Sequence, residues 1–275
     1  MRVLRSAAMS AFTAAGLVAL ALSSASQSRA QQSSSQGKSQ SLANPRSELI
    51  DNLPPQDWLG VTTRTERGHL LGNPEAEAQL IEFISYTCSH CADFAKQSDN
   101  TLDIAAVGPG FISIEVRPII RNSIDLVVSL LVQCGDPARF KQRHRTFLYT
   151  QDQWWGEALK APESQKQIWA RQTPAARMNA AQALDLDDTM RSMGFSSSQV
   201  TACLRDEAAA QALLSNDKAD RAEFTITATP TFALDGAKLD DVGDWPSLAY
   251  TLQERFRPKP QAQVIENGRV TTIER

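Results

Sequence analysis

Gln79-Leu80-Ile81-Glu82-Phe83-Ile84-Ser85-Tyr86-Thr87-Cys88-Ser89-His90-Cys91 is the stretch that decides the fold. Residues 79–86 are dense in apolar and aromatic side chains and too short for a typical helix, so they read as a buried strand at the centre of a sheet. A helix is expected from about Cys88 to Val107, stopped by Gly108-Pro109-Gly110. Residues 111–120 (FISIEVRPII) then alternate with period two and form the next strand. Strand, helix and strand make a βαβ unit, whose right-handed crossover sets the two strands parallel.

Cysteines three residues apart in the first turn of a helix can bring their sulfurs within disulfide reach. Cys88 falls at the helix N-terminus, where unpaired N–H groups and the helix dipole favour an anion. Its pKa is therefore expected in the range of roughly 3.5–7.5, below the value of about 8.5 for a free thiol. His90 can add positive charge or a hydrogen bond to the same thiolate. Stabilising the thiolate stabilises the reduced form and makes the disulfide a stronger oxidant. Cys91 is expected to face inward and to attack the mixed disulfide, releasing the client. A zinc site is the competing reading, but it needs two more ligands, and Cys134 and Cys203 do not form a second C-x-x-C. An inert structural disulfide is the other.

Working outward, the N-terminus reads as an export address. Arg2 and Arg5 precede an apolar run from Ala11 to Leu22, too short for a membrane core of about 30 Å, and Ser28-Arg29-Ala30 has the small-x-small form of a cleavage site. Residues 1–30 are thus expected to be a secretory signal peptide and the protein to be exported. The whole chain of 275 residues has 28 basic and 31 acidic residues. Removing Arg2, Arg5 and Arg29 leaves 25 basic residues against 31 acidic, a net charge of −6. Such a balance argues against nucleic acid as a partner, because neutralising phosphates needs a basic excess. Residues 31–57 begin as a Ser/Gln-rich stretch with little to bury and are expected to be a disordered tether.

Residues 58–121 hold the βαβ unit, with a further strand expected over 59–65 and turn residues over 68–74 that include His69. Residues 122–223 are almost wholly helical in composition, with an Asp136-Pro137 helix start and a capping box at Ser196–Gln199. Strand signals return over 224–234 (FTITATPTFAL), followed by an Asp235-Gly236 turn and a terminal helix, so that 224–257 closes the domain. Residues 258–275 are expected to be a loose tail. Arg139, Lys141, Arg143, His144 and Arg145 read as a solvated basic face, and Trp154-Trp155 as core.

Two residues resist a bland explanation. A carboxylate at Glu82, between Ile81 and Phe83 in a buried strand, is costly unless it is neutral or used. Pro230 interrupts an apolar strand run, where it deletes a ladder donor. It is either an ordinary edge-strand proline or a cis proline that leaves Thr229 free to pair with a substrate strand.

The Glu82–Cys91 stretch, the helical insertion and Ala228-Thr229-Pro230-Thr231 together resemble the DsbA-like thiol:disulfide oxidoreductases over roughly Trp58 to Phe256. The resemblance implies an α/β architecture: a thioredoxin-like fold, with a central mixed sheet flanked by helices and an inserted all-helical subdomain. It also implies a periplasmic enzyme of protein folding with a redox-active center at Cys88 and Cys91, and with His90 and Glu82 in the catalytic set. Glu82 would serve as a proton acceptor beneath the cysteines. Thr229 and Pro230, the proline cis, would bind substrate. No cofactor is implied beyond the Cys88–Cys91 disulfide. Its partners would be reduced or misoxidised exported proteins and a membrane redox partner for recycling. The chain departs from the family's best-known pattern in having Ser89 where a proline often stands, and Thr229 before the cis proline occurs in isomerase and reductase relatives too. A dithiol oxidase is the leading expectation. A reductase or isomerase kept reduced by a membrane partner, or a non-catalytic chaperone with a structural C-x-x-C disulfide, are the alternatives. A monomer is expected. Cys134 and Cys203, both in the insertion, are expected to form a structural disulfide in an oxidising compartment, with a regulatory role as the sharper alternative.

Overall fold

The computed structural model describes residues 57–258 and two further strands at 262–266 and 269–273, all within the unit Leu49–Arg275. The expected signal peptide and all of the tether except Asp57 lie outside the described residues.

Strands β1 (Thr62–Arg64), β2 (His69–Leu71), β3 (Ala78–Ile84), β4 (Ile112–Pro118), β5 (Thr231–Leu234) and β6 (Ala237–Lys238) form one mixed sheet in the order β1-β2-β4-β3-β5-β6. β3 and β4 are parallel, with Glu82 opposite Val116. β5 runs antiparallel along the other edge of β3, placing Phe232 opposite Glu82. Between the parallel strands lies helix α1 (Ser89–Leu102), which continues as one π-helical stretch over Asp103–Val107.

Alternation along β3 decides which side chains meet α1. Leu80 and Ile84 face the main core with Cys91, Phe94, Leu102 and Phe232, and Glu82 shares their side of the strand. Phe83 turns to the opposite face, where it packs with Ile119, Phe224 and Ile226, its ring 4.9 Å from that of Phe224. Full burial of Leu80, Phe83 and Ile84 stabilises by about 1.5–3 kcal/mol each, enough to hold a carboxyl group in the same strand.

The insertion begins with α2 (Ser123–Gln133), capped by the Asn122 side chain, which accepts from the N–H groups of Ile124 and Asp125. Every residue from Ile124 to Val132 is buried, because α2 is covered on two sides. Leu126 and Leu130 pack on Ala210 and Leu213 of a long helix, Glu207–Phe224, while Val127, Val128 and Leu131 join the main core. The chain continues through α3 (Phe140–Tyr149) and α4 (Gln151–Lys160). Further along, the expected capping box of Ser196 and Gln199 starts the helix Ser197–Arg205. Cys134, just past α2, is joined to Cys203 in that helix, with Cα atoms 5.8 Å apart. Trp154 is core, its indole N–H donating to the Phe147 carbonyl.

The basic segment of α3 is not a solvated face. Arg143 is buried, and its Nε and Nη2 donate to the carbonyls of Val132 and Asp136 at 2.7 and 3.0 Å. The Val132 carbonyl is among the last of α2, which lack intrahelical partners, and the guanidinium supplies a donor there together with the charge that suits a helix C-terminus. Lys141 and Arg145 bind Asp99 and Asp103 at the end of the α1 segment. His144 is buried, with Nδ1 3.0 Å from the Tyr86 hydroxyl.

Three local expectations are corrected. His69 lies in strand β2 rather than in a turn, stacked on Phe140 at 3.9 Å. Residues 224–230 are not strand: Phe224 closes the long helix, Thr225 takes a left-handed conformation, and β5 starts only after Pro230. The segment expected to be a loose tail contains the antiparallel pair Ala262–Glu266 and Arg269–Ile273. Its β-branched residues flank Asn267-Gly268, a strong hairpin signal in sequence.

Burial pushes the pKa of both His69 and His144 down to about 3, with nearby arginines adding to the effect. In the unfolded chain both titrate near 6.5, so below that pH the unfolded state binds more protons and stability falls until about pH 3. Neither His69 ring nitrogen has a partner among the described residues. His69→Phe should therefore raise stability by about 1 kcal/mol and flatten its loss between pH 6.5 and 4, measured by urea unfolding.

Candidate active site

Cys88 is the N-cap of α1, in an extended conformation and without a side-chain oxygen to cap the helix. Its sulfur takes the place where an Asp or Ser oxygen would meet the free N–H groups of the first turn. The thiol is pushed down to about 4, led by a hydrogen bond from the Cys91 side chain; the Thr229 side chain, the Cys91 N–H and the charge of Arg121 add to this, while burial opposes it. The thiolate is therefore the prevailing form of Cys88 at neutral pH. When protonated, the Cys88 Sγ donates to the Thr229 carbonyl at 3.1 Å.

Cys91, one turn later, has no exposed surface, and burial followed by the neighbouring Cys88 pushes its pKa well above the ordinary value. Both cysteines are free thiols. Glu82 is buried on the same side of the sheet, pushed up to about 8 by desolvation with a contribution from Asp99. Its charge acts on Cys91. The Thr229–Pro230 peptide is cis and carries Thr229 against Cys88.

His90 is exposed beside Ser89 and lines the cleft with Cys88, and the charge of Arg121 also acts on the Cys88 thiol. A cleft of about 410 Å³ opens over the sulfur, lined by Cys88, His90, Arg121, Arg221 and Thr229 among others. The Cys134–Cys203 disulfide lies in the helical insertion and contributes nothing to this lining.

Three residues that hold the site escaped the sequence reading. Asp125, wholly buried in α2, accepts from the Ser85 hydroxyl, from the N–H and hydroxyl of Thr87, and from the Arg121 N–H, all at 2.8–3.0 Å. Gln151 Nε2 donates to the carbonyls of Tyr86 and Cys88 at 2.7 and 2.9 Å. Arg121 supplies the charge. Asp125 had a signal: it stands among Ile124, Leu126 and Val127, an acid in an apolar run, as Glu82 does.

A sequence profile described as Thioredoxin matches residues 64–254. The chain belongs to the thioredoxin family. Within that family its fold is DsbA-like, with the expected central mixed sheet and helical insertion. The crystal structure of a protein-disulfide isomerase from Novosphingobium aromaticivorans is 36% identical, with a TM-score of 0.68 over 70% of this chain and 99% of that one. Wolbachia pipientis alpha-DsbA1 shares the fold at 16% identity, with a TM-score of 0.55 over 74% of this chain and 94% of that one. A Rickettsia typhi relative described as a protein-disulfide oxidoreductase is 24% identical over 201 residues, 71% of this chain and 66% of its own length. The thioredoxin-family chain thus spans about two thirds of that relative, and 41% of a similarly described Rickettsia conorii protein.

Because Cys88 and Cys91 are held at opposite ends of the thiol range, alkylation of the reduced protein should separate them. Iodoacetamide is expected to modify Cys88 with a midpoint near pH 4 and to leave Cys91 unmodified at pH 7, read by peptide mass. A Cys88 midpoint near 8.5 would overturn the electrostatic account of this site.

Proposed function

We propose that the protein is a periplasmic thiol:disulfide oxidoreductase that exchanges disulfides with exported client proteins through Cys88 and Cys91, acting as a dithiol oxidase. The observation that carries this reading is Cys88 at the start of α1, lining a cleft, paired with a fully buried Cys91 one turn later. A low nucleophile pKa stabilises the reduced pair, so the disulfide gives up its oxidising equivalents readily.

In the oxidising direction a client thiolate attacks Cys88 Sγ of the Cys88–Cys91 disulfide. The client–Cys88 bond forms, the Cys88–Cys91 bond breaks, and Cys91 leaves as a thiolate that takes a proton from the Glu82 carboxyl. A second client thiolate then attacks the client sulfur of the mixed disulfide and expels Cys88 as the stabilised thiolate. Two electrons pass from the client dithiol to the enzyme pair, and a membrane redox partner would take them onward. The same steps run backwards in a reductase, where Glu82 deprotonates Cys91. With a pKa of about 8, Glu82 can exchange its proton near neutral pH in either direction.

The isomerase-named relative and Thr229 before the cis proline favour a second reading, an isomerase or reductase kept reduced in the cell. The equilibrium potential against glutathione divides the oxidase from a reductase. The redox state of the cysteine pair in the cell, mostly oxidised for an oxidase and mostly reduced for an isomerase, divides the oxidase from an isomerase. An oxidase should lie well above the value of about −270 mV that marks thioredoxin, and a value at or below that mark would rule the oxidase out. Cys91→Ser should accumulate mixed disulfides through Cys88, while Cys88→Ser should lose exchange altogether, both read on non-reducing gels. Glu82→Gln should slow the step at Cys91 about 10²-fold and remove the pH dependence centred near 8. An unchanged pH profile would take Glu82 out of the proton path.

A further inference from the structure

The cleft over Cys88 carries a charge that the exchange chemistry does not itself require. Its lining includes two arginines, Arg121 and Arg221, and no carboxylate, in a protein with more acidic than basic residues. The two arginines differ. Arg221 is engaged by Asp217 on its own helix, Nε to Oδ1 at 2.8 Å. Arg67 and Arg117 are tied to Asp220 nearby. No ion pair among the described residues engages Arg121, and its side chain is exposed at the cleft.

Arg121 is also rooted more firmly than an exposed side chain usually is. Its backbone N–H donates to Asp125 Oδ2 at 3.0 Å, and the N–H of Thr87, the residue before the nucleophile, donates to Asp125 Oδ1 at 3.0 Å. One buried carboxylate thus ties the segment that carries the cation to the segment that carries the sulfur. The start of the guanidinium arm is fixed relative to Cys88, and only its flexible end is left to find a partner. The charge is near enough to act on the Cys88 thiol.

We infer that Arg121 is a specificity-determining residue, which makes the cleft select client segments with an aspartate or glutamate beside the reacting cysteine. The inference rests on the exchange function proposed above and names the class of client that it takes. As the client thiol approaches Cys88, the adjacent carboxylate comes onto the Arg121 guanidinium, a pairing whose planar fork suits a carboxylate. A basic neighbour meets repulsion from Arg121 instead. Complementary charge at the rim of a binding site acts mainly on encounter and is weakened by salt. The expected preference is therefore modest, about threefold to tenfold at low ionic strength.

The test uses three dithiol peptides, identical except that the residue before the first cysteine is Asp, Gln or Lys. Oxidation by the full-length oxidised protein is followed at 20 mM and 500 mM salt. Each rate is divided by that of the same peptide with 2-hydroxyethyl disulfide, a neutral reagent, which removes the effect of the neighbour on the peptide's own thiol. The Asp peptide should react about threefold to tenfold faster than the Lys peptide at low salt, and the ratio should approach one at high salt. Arg121→Gln should bring the low-salt ratio towards one and Arg121→Glu should invert it. Working with ratios within each variant cancels any change in Cys88 reactivity. Equal rates for all three peptides with the unaltered protein would overturn the inference while leaving the exchange function standing. A preference abolished by Arg221→Gln but kept in Arg121→Gln would overturn the assignment to Arg121. No exchange with any of the peptides would overturn both the inference and the function beneath it.

Discussion

A sulfur at the N-cap of a helix is the constraint on which the rest of the site depends. An oxygen there would accept from the first-turn amides and end its role as a cap. A thiolate in that place lies at the positive end of the helix and is also a nucleophile and a leaving group; its low pKa is led by the Cys91 side chain, with the Cys91 N–H contributing, so the first turn of α1 sets the redox character of Cys88. The second sulfur, one turn along, falls inside the core and is held protonated by the same burial that packs the helix on the sheet. The difference between the two thiols follows from one turn of helix crossing the boundary between cleft and interior.

The topology brings the other groups to that boundary. β3 and β4 are parallel, so both carboxyl ends open at the same edge of the sheet, the usual location of a site in such an arrangement. Cys88 follows one of these ends and Arg121 the other. The antiparallel β5 on the far side of β3 starts at the same edge, which brings Thr229 and Pro230 against Cys88.

Features with a local cause could be read from residues alone. The buried strand, the paired cysteines, the Ser196–Gln199 capping box and the anomaly of Glu82 all rest on spacing, periodicity or the cost of burying a charge. Features made by contacts between distant segments could not. Arg143 looks like a surface cation until its guanidinium is seen buried against the carbonyls of Val132 and Asp136. Gln151 carries no mark in its own neighbourhood of its bonds to Tyr86 and Cys88, more than 60 residues earlier. Asp125 is intermediate, since its discord with the surrounding apolar run was visible but its partners, Ser85 and Thr87, were not. The helix expected at 88–107 was correct in place, while its change to π-helical winding over Asp103–Val107 has no evident marker in composition.

The two carbonyls held by Gln151 belong to the turn that presents the nucleophile, and Gln151 itself opens a helix of the insertion. Asp125 grips the same turn from the first insertion helix. The reactive turn is thereby suspended between two members of a layer that contributes no reacting atom. The backbone around the sulfur is thus fixed by side chains that the sheet does not supply.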